Sequence, residues 1–194
     1  GAYGDDGAGS KQGAVWVLFL QADGTVKSAM KITDGQNGFG NGGTLADGDN
    51  FGTSVAGLGD VDGDGTPDMA VGAYADDDAG DNAGTAYFIA LHPDGSVKTW
   101  HSLTDAASGF QGPLTAHYNF GFSMRAIGDI DGDASVELAV GAPAFSSNGQ
   151  LSGGVHILYL DSSGTVKHNR AMHKGAGSLS AEASALSSTK SWWC

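Results

Sequence analysis

Phe51–Gly59 is a run of apolar and small residues that leads into an aspartate cluster, and Asp68-Met69-Ala70-Val71-Gly72 is a short apolar run that leaves it. Short runs of this kind, bounded by Gly and Asp, predict strands rather than helices. Further on, Thr85-Ala86-Tyr87-Phe88-Ile89-Ala90-Leu91 and Val97-Lys98-Thr99-Trp100-His101-Ser102-Leu103 flank Pro93-Asp94-Gly95, which has the turn chemistry of a hairpin. Together these runs predict four consecutive antiparallel strands.

The pattern recurs. Asn50-Phe51-Gly52-Thr53-Ser54 returns as Asn119-Phe120-Gly121-Phe122-Ser123, and Gly59-Asp60-Val61-Asp62-Gly63-Asp64 as Gly128-Asp129-Ile130-Asp131-Gly132-Asp133, both 69 residues on. A further copy lies 71 residues earlier, where Gly1-Ala2-Tyr3 aligns with Gly72-Ala73-Tyr74 and Asp23-Gly24-Thr25-Val26-Lys27 with Asp94-Gly95-Ser96-Val97-Lys98. Ser163-Gly164-Thr165-Val166-Lys167 closes the series. The expected units are 1–49, lacking its first strand and aspartate loop, then 50–118 and 119–175, each with a loop, then a Ser/Ala-rich tail over 176–194.

Four strands repeated head to tail are the signature of β-propeller blades, although this spacing exceeds the roughly 40–50 residues common in such repeats. The excess is loop, mainly Gly35–Asn50 and Ala106–Asn119. A parallel β-helix is the rival reading, but its coils are shorter and lack polar hairpin turns such as Asp94-Gly95. The expected fold class is all-β, with blades of four antiparallel strands forming part of a propeller.

Composition sharpens this picture. Of 194 residues 33 are Gly, and of the 22 acidic residues all but Glu137 and Glu182 are aspartate, a turn and ligand residue and a poor helix former. The formal net charge of −13 disfavours nucleic acid or an anionic membrane surface as partner. No apolar run approaches the roughly 20 residues that span a bilayer, so no direct membrane insertion is expected of this segment. Cys194 is the sole cysteine, so no internal disulfide forms. The first residues are neither a methionine start nor a signal peptide, and the expectation is an excerpt of a longer protein.

Asp60, Asp62, Asp64 and Asp68 stand at loop positions 1, 3, 5 and 9, and Thr66 at position 7 offers its backbone carbonyl. In a tight loop this spacing turns alternate side chains inward, giving the all-oxygen cage that Ca²⁺ prefers. Four carboxylates so close repel one another without a cation. Zinc is disfavoured with no His or Cys nearby. The bland alternative, a solvated acidic turn, is weakened because the spacing recurs in register at Asp129, Asp131, Asp133, Ser135 and Glu137. A helical EF-hand fails because its position-12 Glu is replaced by Val71 and Val140. Two calcium sites are expected, the second weaker because Ala134 replaces Gly65.

Phe120-Gly121 before the second loop and Gly141-Ala142-Pro143 after it spell out the two halves of an FG-GAP repeat, as do Phe51-Gly52 and Gly72-Ala73-Tyr74 in the preceding unit. The chain resembles FG-GAP repeat proteins, similar to the integrin α-subunit β-propeller and its bacterial relatives. The resemblance covers roughly residues 1–173 and implies a propeller, usually of seven blades, with a calcium loop joining the first and second strands of a blade. It places the ligands on Asp60, Asp62, Asp64, Thr66 and Asp68, and on Asp129, Asp131, Asp133, Ser135 and Glu137. It also implies an extracellular or cell-surface setting, a protein or glycan ligand, a role in adhesion or recognition, and further blades in cis. The alternatives are a non-catalytic part of an extracellular hydrolase or lyase, and a structural spacer in a large surface protein.

The remaining candidates carry less. Gly38-Phe39-Gly40-Asn41-Gly42-Gly43 fits a G-x-G-x-x-G pattern without strand–helix context and reads as an inter-blade loop. Asp76-Asp77-Asp78 and Asp5-Asp6 read as solvated loops. His92, His101, His117, His156, His168 and His173 form no catalytic constellation, so the chain is read as non-enzymatic. Trp16, Tyr87 and His156 are equivalent strand positions, expected to pack in the core.

Overall fold

The computed structural model describes residues 1–6, 9–104, 108–112, 114–147 and 150–173. Among them the strands are β1 (Val15–Leu20), β2 (Val26–Ile32), β3 (Phe51–Gly59), β4 (Asp68–Ala73), β5 (Thr85–Leu91), β6 (Val97–Ser102), β7 (Ser123–Gly128), β8 (Glu137–Ala142), β9 (Ser146–Ser147), β10 (Gln150–Leu151), β11 (Gly154–Leu160) and β12 (Val166–His173). The sequence pattern places β3 and β5 with these bounds; β4 runs one residue further, to Ala73, and β6 stops one short of Leu103. The miniature hairpin β9–β10 has no counterpart in the expectation.

Two four-stranded antiparallel blades result, ordered β3-β4-β5-β6 and β7-β8-β11-β12, and β1 pairs with β2 as a hairpin ahead of them. The repeat is exact at the level of pairing: Tyr87 faces Val71 across β5 and β4, and His156 faces Val140 across β11 and β8. The turn at Asp94-Gly95 is closed by the His92 carbonyl accepting from Gly95 N at 2.8 Å, and Asp94 Oδ1 accepts from both the N and Oγ of Ser96.

A sheet with one wet face alternates in burial, whereas every residue of β4 and β5 is buried. The cause is packing on both sides. Met69, Val71, Tyr87 and Ile89 meet Val15, Ile32 and Phe39 of the first unit, while Ala70, Ala86, Phe88 and Ala90 meet Leu138, Val140 and Leu158 of the last blade. The blades thus stack face to face, and the first strands β3 and β7 of the two four-stranded blades lie side by side.

The recurring Asn-Phe-Gly element joins consecutive units. Phe120 N donates to the Ala83 carbonyl at 2.9 Å and Asn119 N to that of Asn82 at 3.1 Å; Phe51 and Asn50 do the same to Gln12 and Lys11 at 2.8 and 3.1 Å. Asn50 and Asn119 adopt φ of 59° and 53°, a left-handed conformation that asparagine tolerates. Gly121, at φ 83°, lies so close to the preceding blade that a Cβ there would sit 2.4 Å from the Thr85 carbonyl oxygen. On its other side a Cβ on Gly72 would lie 2.1 Å from the Gly121 carbonyl oxygen. The glycines of the two half-motifs therefore touch across the joint.

Core packing holds at Tyr87 and His156, which are 2% and 5% exposed, but Trp16 is 46% exposed on the outer face of β1 beside Leu18 and Leu20. Val155, on the opposite sheet face of β11, is exposed as well. No helix among the described residues is long and apolar enough to cross a membrane. The Ser/Ala-rich tail, with Trp192-Trp193-Cys194, lies outside the described residues.

Candidate metal centres

The β3–β4 loop folds over the end of its own blade. Backbone amides shape it: Asp60 Oδ2 accepts from Gly65 N at 2.9 Å, Asp62 Oδ1 from Asp64 N at 3.2 Å, and Asp64 Oδ1 from Thr66 N at 2.8 Å. Asp68, the first residue of β4, is buried and tied at both oxygens, accepting from Val61 N at 2.9 Å and from Leu91 N at 3.3 Å. Burial pushes its carboxyl above the usual carboxylate range. Oxygens of Asp60, Asp62 and Asp68 converge within 4.8 Å of one another. Asp64 stands outside that cluster.

The β7–β8 loop repeats the arrangement. Asp129 accepts from Gly132 N at 2.6 Å and from Ala134 N at 2.9 Å, Asp133 Oδ1 from Ser135 N at 2.9 Å, and Glu137 Oε2 from Ile130 N at 2.6 Å. Oxygens of Asp129, Asp131 and Glu137 converge within 4.8 Å, leaving Asp133 outside. Glu137 is fully buried, and its Oε1 has no hydrogen-bond partner. An unpartnered buried carboxylate oxygen beside two further carboxylates is costly unless a cation completes it, so the residues present fit a hard, oxygen-seeking divalent ion. Ala134 takes φ 68° where Gly65 takes 88°, the strained conformation that glycine adopts freely. Both loops line one cleft, together with Leu58, Val61 and Asp161, so the two clusters share one end of the stacked blades.

Two lysines enter these loops from the fourth strands. Lys98 Nζ on β6 lies 2.7 Å from Asp62 Oδ2 and 2.5 Å from Asp64 Oδ2, and Lys167 on β12 pairs with Asp133. Hydrogen bonding to Lys98 holds the Asp64 carboxyl below its ordinary range and raises the lysine above its own. Neither lysine was singled out as a site residue on sequence. The signal was present in the recurring Val-Lys after each Asp-Gly or Ser-Gly turn, at 26–27, 97–98 and 166–167.

The opposite end of the middle blade corrects another expectation. Asp77 and Asp78 are exposed, as a solvated loop should be, but Asp76 is 1% exposed and accepts a hydrogen bond from Tyr87 Oη at 2.9 Å. Asp49 is also buried, accepts from Ala46 N at 2.7 Å, and is pushed up to about 7 by desolvation, with Asp76 adding repulsion. In the last blade the equivalent positions carry Tyr118, Phe145 and His156. Burial pushes the His156 imidazole down to about 4, and neither ring nitrogen has a hydrogen-bond partner.

Stacked four-stranded blades with an acidic loop between their first and second strands define a segment of a β-propeller. Residues 51–89, which span β3, the acidic loop, β4 and most of β5, match the FG-GAP repeat family. Over 100 residues, 51% of this chain and 9% of the relative, the sequence is 39% identical to integrin alpha-PS5 of Drosophila melanogaster. Over 93 residues, 47% of this chain and 7% of the relative, it is 31% identical to integrin alpha-2 of Mus musculus. The chain is thus similar to the FG-GAP repeats and to integrin α chains, and it spans less than a tenth of the length of these relatives.

Proposed function

We propose that this segment is a calcium-stabilised, non-enzymatic portion of a cell-surface or secreted recognition protein, with blades corresponding to units 1–49, 50–118 and 119–175. Calcium is held at two sites, by Asp60, Asp62, Asp64, Thr66 and Asp68 and by Asp129, Asp131, Asp133, Ser135 and Glu137. The observation that carries this reading is the buried, unpartnered Oε1 of Glu137 within a carboxylate cluster that recurs in register one blade earlier. Calcium supplies the positive charge that lets these carboxylates approach. Two ions bring the formal charge from −13 to −9.

The adhesion role and the extracellular setting rest on the likeness to integrin α chains, and the ligand is a protein or glycan outside the cell. The exposed apolar faces at Trp16, Leu18 and Leu20 and at Val155 fit further blades in cis.

Thermal unfolding in millimolar calcium and in excess EGTA, repeated on Asp62→Ala with Asp131→Ala, tests the metal sites. A calcium-dependent rise in Tm that disappears in the double variant is expected. A folded protein indifferent to calcium would leave the carboxylates as solvated turns. A full-length protein that binds no cell-surface or matrix component in calcium buffer would remove the recognition role.

A further inference from the structure

In both acidic loops the carboxylate that stays outside the converged cluster is the one at position 5, and in both a lysine holds it. Asp64 is held by Lys98 at 2.5 Å and Asp133 by Lys167; Lys98 also reaches Asp62 of the converged cluster at 2.7 Å, and among the described residues no lysine ion pair falls on Asp60, Asp68, Asp129, Asp131 or Glu137. The arrangement is built, because the two lysines occupy the same register. Each is the second residue of its fourth strand and reaches back over the end of the third strand. Both oxygens of Asp64 are engaged, Oδ1 by Thr66 N and Oδ2 by Lys98 Nζ. A cation recruiting this carboxylate must share an oxygen already engaged by the Thr66 amide or by the Lys98 ammonium, and the like charge of the ammonium opposes it.

We propose that Lys98 and Lys167 are tethered competitors of the metal ion, each holding the position-5 carboxylate of its own blade and thereby lowering the affinity of the loop for calcium. The proposal rests on the reading of the loops as metal sites. Lys98, in contact with two carboxylates, and Lys167, in contact with one, each supply part of the neutralisation that the ion would otherwise provide, and each repels an incoming divalent charge. The loop then keeps its shape when calcium is scarce and fills only when calcium is abundant.

Isothermal titration of calcium into the protein, Lys98→Met and Lys167→Met at low ionic strength tests this. Each substitution should tighten one of two sites by on the order of tenfold and leave the other within error. Lys98→Arg should resemble the parent. In EGTA, Lys98→Met should melt below the parent, and calcium should raise its Tm by more than it raises the parent's. Unchanged or weaker calcium affinity in both methionine variants would overturn the competitor role while leaving the sites intact. Absence of calcium uptake in the parent and both variants would instead overturn the metal reading beneath it.

Discussion

Tyr87 donates its hydroxyl to Asp76 at 2.9 Å inside the joint between the first two units, and one blade later the same two positions are His156 and Phe145, whose rings lie 5.9 Å apart. The joints share a frame of phenylalanines, Phe39 and Phe51 in one and Phe110 and Phe120 in the other, yet one is closed by a buried polar pair and the other by an aromatic cluster. Tyr87→Phe removes one hydrogen-bond donor from a buried carboxylate. It should destabilise the protein by about 1–3 kcal/mol in urea denaturation.

His156 makes the second joint acid-sensitive. Its folded pKa is depressed to about 4 from an ordinary 6.5, by burial first and by the neighbouring His173 second. Below pH 6.5 the unfolded chain takes up a proton that the folded chain resists, so stability falls as pH drops towards 4. The loss is on the order of 3 kcal/mol. His156→Phe should flatten that slope in denaturation curves recorded from pH 4 to 7, and should add stability at neutral pH by removing two unpartnered nitrogens.

Asp49 works in the opposite direction. Its folded pKa is raised to about 7, so the stability it lends is complete below about pH 4 and is lost as pH rises through 7. Asp49→Asn should therefore gain stability over the parent between pH 5 and 8. A parent and variant whose difference does not change with pH would show that Asp49 is solvated.

Ala134→Gly should relieve the positive φ of the second loop. About 1 kcal/mol of added stability and a severalfold tighter second calcium site are expected, with Gly65→Ala giving the reverse in the first loop. Equal calcium affinities in the parent and in Ala134→Gly would remove backbone strain as the cause of any difference between the sites.

Gly121→Ala tests the joint itself. A methyl 2.4 Å from the Thr85 carbonyl, at φ 83°, cannot be accommodated without moving the last blade away from the middle one. A loss of about 3 kcal/mol or more is expected by chemical denaturation, well above that of a surface Gly→Ala change.

The strands and the repeat were legible because they are written in local patterns: the bounds of β3 and β5 follow from runs of strand-forming residues between Gly and Asp punctuation. The convergence of Asp60, Asp62 and Asp68 also follows from local spacing. Long-range relations were not legible. Asp76 sits in a triple-aspartate run that reads as solvated, and its burial rests on partners that the β4–β5 pairing brings over, the Tyr87 hydroxyl and the Thr85 side chain, together with Asp78 N. The lysines lie 34 to 36 residues from the aspartates they hold, and their Val-Lys signal served as a marker of repetition rather than of contact. Trp16 shares a strand position with Tyr87 but lacks the covering layer that buries the latter.

The two exposed sheet faces described above are not alike. Trp16, Leu18 and Leu20 occupy the register of Tyr87, Ile89 and Leu91, the side on which the middle blade meets its predecessor, whereas Val155 occupies the register of Ala86, on the side that meets its successor. The segment is thus a directional tile with a leading and a trailing edge. A two-fold pairing of copies would press together surfaces that were never matched, while head-to-tail addition repeats a joint already present twice. Assembly on this plan can proceed in one rotational sense only, and the wedge angle between successive tiles decides how many of them complete the circle.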